Sequence, residues 1–163
     1  MLLIIGTFLV SLLISSFCGY WIHRGLHSRR LSFINKGHME HHLQHYPPKR
    51  LVTDKYLRAK WFNSGPFLFT PPFVILLAVF GGLLWLLGLP MWCLAIFGPV
   101  MLAYGLFNDA VHDSFHVKNT WLRFLPFWTK LREHHFLHHH DMKRNFGIIS
   151  FEWDRVFKTF KRL

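Results

Sequence analysis

WFNSGPFLFTPPFVILLAVFGGLLWLLGLPMWCLAIFGPVMLAYGLFN, residues 61–108, runs 48 residues without a charged side chain. One membrane-spanning helix needs about 20 apolar residues, so this stretch is too long for one span and about right for two. Gly88-Leu89-Pro90 supplies the break between them. The pattern predicts helices over about 67–87, opening near Pro71-Pro72, and over about 91–108. So tight a connection makes an antiparallel hairpin, whose two ends return to the same side.

Residues 1–22 are also uncharged. At about 1.5 Å per residue they reach roughly 33 Å, about the thickness of the hydrocarbon layer. A signal peptide would open on a basic stretch and close on a small-x-small cleavage site. Neither is present, so residues 2–22 are expected to be a retained span, with Tyr20 and Trp21 in the interfacial aromatic belt. The charge pattern agrees. All 19 Lys and Arg fall in two blocks, 23–60 and 109–163, although the formal net charge is +11 and 52% of residues are hydrophobic. The mean hydropathy is +0.23. Cations confined to the segments flanking apolar runs indicate a membrane protein rather than a nucleic-acid binder. Three spans put both basic blocks on one face, which the positive-inside rule makes cytoplasmic. The expected fold class is therefore all-α: an integral membrane protein of about three transmembrane helices with a cytoplasmic His-rich helical cap. At 163 residues it reads as one domain, 1–163. Its membrane is the bacterial inner membrane or the endoplasmic reticulum. Cys18 and Cys93 lie in apolar runs without CxxC spacing and read as reduced, apolar residues.

All 13 histidines lie in the two basic blocks. REHHFLHHH, residues 132–140, places His135, His138 and His139 at i, i+3 and i+4, on one helix face. His38, His41 and His42 repeat that spacing in GHMEHH. His23 and His27 extend the first span, and His112 and His116 the third, each pair one helical turn apart. The His segments are thus 23–45 and 112–140. Ten imidazoles from four helical elements are too many for one metal ion and suit two. A lone membrane histidine is more often a satisfied polar group or a proton relay, and a His run can merely scavenge metal. Neither needs turn-spaced clusters in four places. His45 continues the His38 face beyond its helix, and His134 and His140 bracket the last triplet off its face; these three are left out of the ligand set. Imidazole suits iron, zinc and copper alike.

HRGLH (23–27), KGHMEHH (36–42), HDSFH (112–116) and HHFLHHH (134–140), followed by Asn145-Phe146-Gly147 and Trp153-Asp154-Arg155-Val156-Phe157, resemble the histidine boxes of the fatty acid hydroxylase superfamily. That superfamily includes sterol desaturases and sphingolipid fatty acid hydroxylases. The resemblance implies a membrane-bound non-haem oxygenase that holds two iron ions on the ten histidines, with zinc as a possible substitute in isolated protein. It implies O2 as co-substrate and a lipid substrate, a fatty acyl chain or a sterol. O2 is activated reductively, hydrogen is abstracted from an unactivated C–H bond, and hydroxylation (or desaturation) follows. Zinc lacks the redox chemistry for this. Glu40, Asp113, Glu133 and Asp141 sit where they could orient imidazole N–H groups. With no flavin, nucleotide, haem or Fe–S fingerprint, electrons are expected from a partner, a ferredoxin or a small b-type cytochrome. Lys49, Arg50, Lys55, Arg58 and Lys60 would steer such a donor or bind anionic lipid. Phe67, Phe69, Phe73, Phe80 and Phe97 are expected to line an acyl channel or pack between helices. The C-terminal FEWDRVFKTFKRL is expected to lie amphipathically on the membrane surface and cover the histidines. A carotenoid hydroxylase shares the pattern. A non-redox metal-binding or transport protein would instead place ionisable ligands within the spans, which hold none.

Overall fold

Two helices of 25 residues organise the molecule: α1 (Leu2–Leu26) and, later in the chain, α4 (Met91–Phe115). A computed structural model describes residues 1–57 and 68–162, with the backbone alone for 31–34. Both long helices reach about 37 Å and are apolar and long enough to cross a membrane. They run in the same direction, so that His23 of α1 lies level with His112 of α4, ring centroids 6.4 Å apart. Each continues past its uncharged run, which carries the first and third His pairs out on rigid helical extensions.

Between them in sequence come α2 (Ser32–Glu40), continued by a π-helical turn at His41–His45, and the apolar α3 (Thr70–Leu86). The helix expected over 67–87 is thus 17 residues, about 25 Å, and falls short of the two long ones. Its start is fixed by Asp109 of α4. That buried carboxylate accepts hydrogen bonds from the Leu68, Phe69 and Thr70 N–H groups at 2.6, 2.7 and 2.9 Å, and from the Thr70 hydroxyl at 2.6 Å. These are the donors a helix N-terminus leaves unpaired. Pro71 and Pro72 occupy the first turn, where a missing N–H costs nothing. The hairpin turns at Gly88, whose φ of 69° lies in the left-handed region open to glycine. At Gly105 α3 comes so close that an added Cβ would sit 3.0 Å from the Phe73 ring.

The core is built from Cys18, Phe69, Phe73, Phe97, Met101, Val111, Phe115, Leu122, Trp128 and Ile148. Phe69 and Phe73 are therefore packing residues, while Phe80 and Phe97 also line an apolar cavity of about 470 Å³ between α1, α3 and α4; Phe67, like Arg58 and Lys60, lies outside the described residues. The last ordered helices are α5 (Trp128–His140) and α6 (Glu152–Val156). No strand occurs among the described residues. A single bridge, Thr53 to Val117, ties the 46–57 segment to the end of α4.

Two expectations about the interface change. Tyr20 is buried, its ring 5.8 Å from Phe146 and 5.2 Å from Phe157, while Trp21 stays exposed. The C-terminal segment forms a helix of only five residues, α6. Its aromatics turn inward onto α1: Trp153 meets Phe17 at 5.0 Å and donates Nε1–H to Ser16 Oγ at 2.9 Å, and Phe157 packs on Trp21 at 5.3 Å.

Candidate metal centre

The ends of α1 and α4 meet α2 with its π turn and α5 at one end of the α1–α4 pair, and their imidazoles fill the space between them. The His side-chain nitrogens form three groups in which one atom per residue lies within 4.8 Å of every other: His23, His27, His38, His42 and His138; His41, His112, His116 and His135; and His41, His42 and His139. These are the ten residues singled out by spacing. The first two groups are two separate cages, and the third joins them. All ten are buried except His27, which is half-buried. Phe69 closes the cages on the α3 side, its ring 5.7 Å from His23 and 6.0 Å from His112.

The nitrogens approach each other closely. His27 Nε2 is 2.9 Å from both His138 Nε2 and His38 Nε2, and His38 Nε2 is 3.1 Å from His42 Nε2. In the second cage His116 Nε2 is 3.0 Å from His135 Nε2, which is 3.1 Å from His139 Nε2. Four rings have their tautomer fixed from behind by Nδ1–H donation to a backbone carbonyl. His23 bonds Phe146 O at 2.7 Å, His138 bonds Arg144 O at 2.6 Å, His139 bonds Tyr46 O at 2.8 Å, and His116 bonds Leu51 O at 2.8 Å. Each of these four therefore presents a bare Nε2 lone pair to the interior. Converging lone pairs repel unless a proton or a metal cation lies between them. The Nε2 atoms of His23, His41 and His112 are buried without a hydrogen-bond partner, which is costly for a polar atom. A metal ion resolves both conditions. Metal–imidazole bonds of about 2.0–2.1 Å would bring ligand nitrogens to about 3 Å of one another, the separation that these rings show. The first cage also offers five imidazoles, one more than zinc's usual four ligands.

The electrostatics suit ligation. Burial pushes His27 down to about 4. Burial, reinforced by neighbouring imidazoles, holds His38, His41, His42, His116, His135, His138 and His139 well below the ordinary 6.5. These rings are neutral at pH 7, the form a metal requires.

The three excluded histidines lie apart from the cages. His134 is buried between Phe151 and Phe160, at 4.4 and 5.0 Å. His45 Nε2 lies 3.3 Å from Glu40 Oε1, and His140 is exposed. The orienting groups differ from expectation. Of the four carboxylates, Asp113 lies 3.4 Å from a cage ring, at His112 Nδ1. Asp141 instead meets Lys161 at 3.4 Å, and Glu133 is exposed. Carbonyls take that role because the 46–51 and 144–146 segments pass directly behind the rings. Tyr46, which the spacing of the histidines does not single out, is fully buried and stacks on His116 at 4.0 Å. Tyr56 Oη lies 3.3 Å from His41 Nδ1.

The 144–146 carbonyls are held in turn by Asp154, which is fully buried. Its Oδ1 accepts from Phe146 N–H at 2.8 Å and the Thr159 hydroxyl at 2.7 Å, and its Oδ2 from Gly147 N–H at 2.7 Å. Asn145, at φ 54°, donates to the Lys161 carbonyl at 3.1 Å and accepts from Lys161 N–H at 2.8 Å. The NFG and WDR stretches are thus one hydrogen-bonded strap across the first cage.

The sequence model of the fatty acid hydroxylase family matches residues 8–159. Among curated proteins, the ceramide very long chain fatty acid hydroxylase of Saccharomyces cerevisiae is 33% identical over 159 residues, 94% of this chain. The chain spans 37% of that relative's length. No solved structure gives a significant match.

Proposed function

The chain belongs to the fatty acid hydroxylase family, and on that premise we propose that it is an integral-membrane hydroxylase of lipid acyl chains working with two iron ions. The observation that carries this reading is the pair of buried imidazole cages with inward lone pairs. His23, His27, His38, His42 and His138 hold one ion, and His41, His112, His116 and His135 the other, with His139 between them. When bound, iron supplies reductive activation of O2, in the balance R–H + O2 + 2 e⁻ + 2 H⁺ → R–OH + H2O. The protein's part is to keep the imidazoles neutral, fix their tautomers through carbonyls 46, 51, 144 and 146, and exclude water with Phe69, Tyr46 and Phe146.

The apolar outer faces of α1, α3 and α4 support a membrane-embedded protein, with exposed Leu3, Leu13, Ile75, Val79, Trp92 and Leu106. In the proposed topology α3 is the second of three spans, shortened at its Asp109-capped end, and both cages lie on the cytoplasmic side. The acyl chain as substrate draws on the yeast relative's name. The two electrons come from an external donor, a ferredoxin or small b-type cytochrome.

The reading is tested by metal analysis of purified protein and by lipid mass spectrometry of expressing cells supplied with ¹⁸O2. Expected are about two iron ions per chain and a lipid carrying one ¹⁸O per new hydroxyl. One metal ion or none in folded protein refutes the two-ion centre; an unlabelled lipid pool refutes the hydroxylase.

A further inference from the structure

The segment leading into α5 alternates sharply between outside and inside. Trp121, Phe124 and Phe127 are 74, 78 and 77% exposed. Leu122 and Trp128 are buried at 3 and 6%, with Leu125 packed against the same core. Residues Trp121–Phe124 form a 3₁₀ helix, whose three residues per turn stack positions three apart on one face. One stripe, 122–125–128, is anchored in the core, with Trp128 Nε1–H donating to Ser114 Oγ at 2.8 Å. The other stripe is three large rings presented outward. Three large aromatic side chains left exposed within seven residues mark an interaction site.

The position of the stripe identifies its partner. Phe127 and Leu125 share a groove of about 390 Å³ with Phe107 and Val111 of α4. Phe107 belongs to the uncharged run and is itself 44% exposed. The segment therefore descends to the level of the last apolar turn of α4, rather than standing away from the helices. Between residues 119 and 131 the charged side chains are Arg123 and Lys130, with no acid. The Arg123 guanidinium lies over the Phe124 ring at 4.9 Å, leaving its charge at the rim of the aromatic face. Phe127 holds φ 67°, a left-handed conformation that is strained for an aromatic residue. The fold keeps a phenyl ring outward where glycine would be unstrained.

We propose that Trp121, Phe124 and Phe127 form a membrane-interface wedge, seated at the headgroup–acyl boundary beside α4, with Arg123 and Lys130 reaching lipid phosphates. The partner is the bilayer, and its anionic headgroups strengthen the contact. The wedge rests on the membrane topology proposed above, not on the metal chemistry. It places the groove beneath Phe127 within reach of lipid entering from the bilayer side.

The test uses full-length protein lacking native thiols (Cys18→Ala, Cys93→Ala), reconstituted in nanodiscs of phosphatidylcholine with or without phosphatidylglycerol. An environment-sensitive nitrobenzoxadiazole label is placed in turn through Phe124→Cys, Ile75→Cys on the outer face of α3, and Lys143→Cys in the exposed turn after α5. Brominated lipid and aqueous iodide are the two quenchers. Expected is several-fold stronger quenching by brominated lipid at 124 than at 143, iodide giving the reverse. Phosphatidylglycerol should raise the lipid quenching at 124, and Arg123→Gln with Lys130→Gln should abolish that rise. Lipid quenching at 75 but iodide quenching at 124 overturns the wedge alone. Iodide quenching at 75 overturns the topology itself. A label at 124 shielded from both quenchers, and self-quenched as copies per disc increase, overturns the wedge in favour of a contact between chains.

Discussion

Asp154→Asn isolates the strap from the ligands it serves. The carboxylate receives three donors, two on Oδ1 and one on Oδ2. An asparagine can keep its oxygen at the Oδ1 position, but its NH2 must then face the Gly147 N–H. Leaving that buried donor unpaired costs about 1–3 kcal/mol, and the two surviving bonds, no longer charge-assisted, each weaken by about 1 kcal/mol. The local loss is therefore about 3–5 kcal/mol, and residues 144–147 relieve it by moving. Their movement withdraws the carbonyl acceptors of His23 and His138, both in the first cage. Losing such a support typically costs about 10–100-fold in metal affinity. The second cage draws its carbonyl from Leu51, outside the strap, and should be untouched. Cobalt titration of metal-depleted protein, read by d–d absorption and counted by mass spectrometry, should show one site weakened by about 10–100-fold and the other unchanged. Thr159→Val, which removes one donor only, should weaken the same site a few-fold. If both sites weaken equally, or neither does while the melting temperature falls, Asp154 is scaffold and the link from strap to cage is wrong.

Two further outcomes follow from the cages. His138→Ala should abolish lipid hydroxylation, because its Nε2 stands 2.9 Å from His27 Nε2 at the heart of the first cage; exposed His140→Ala should retain most activity at equal expression, and equal loss in both would mean the α5 register is misassigned. Metal-depleted protein should lose stability on acidification. His38, His41, His42, His116, His135, His138 and His139 titrate below their unfolded value of 6.5, and His27 at about 4, so the unfolded chain binds more protons in between; stability is complete above pH 6.5 and lost as pH falls toward 4. A melting temperature that stays flat or rises across that window would contradict the burial of neutral imidazoles.

The long apolar helices were legible because charge vanishes from residues 1–22 and 61–108, and the histidines because turn spacing on a helix has no packing explanation. The opening near Pro71-Pro72 was legible as well, but not the cap that fixes it at Thr70, since Asp109 lies some 40 residues away in sequence and a local pattern carries no trace of that bond. The same limit hid the strap, whose Asp154 acts on carbonyls eight to ten residues back. The triplet spacing held a further ambiguity. Reading His38, His41 and His42 as one face assigns them together, yet the structure sends His38 and His42 into the first cage and His41 into the second. The reason is local geometry. Residues four apart stack along a helix and stay on the same side of a cage, whereas the intervening neighbour is turned by about 100°. A π-helical turn beginning at His41 widens the helix just there, and such turns recur at functional sites. The last box repeats the split with His135 in the second cage and His138 in the first. The i, i+4 pairs His23–His27 and His112–His116 therefore each serve a single cage, while each triplet must supply both. On this geometry the triplets are what hold the two cages at a fixed separation: α5 and the α2–π segment are the elements that span them, and a one-residue slip in either would move ligands out of both cages at once.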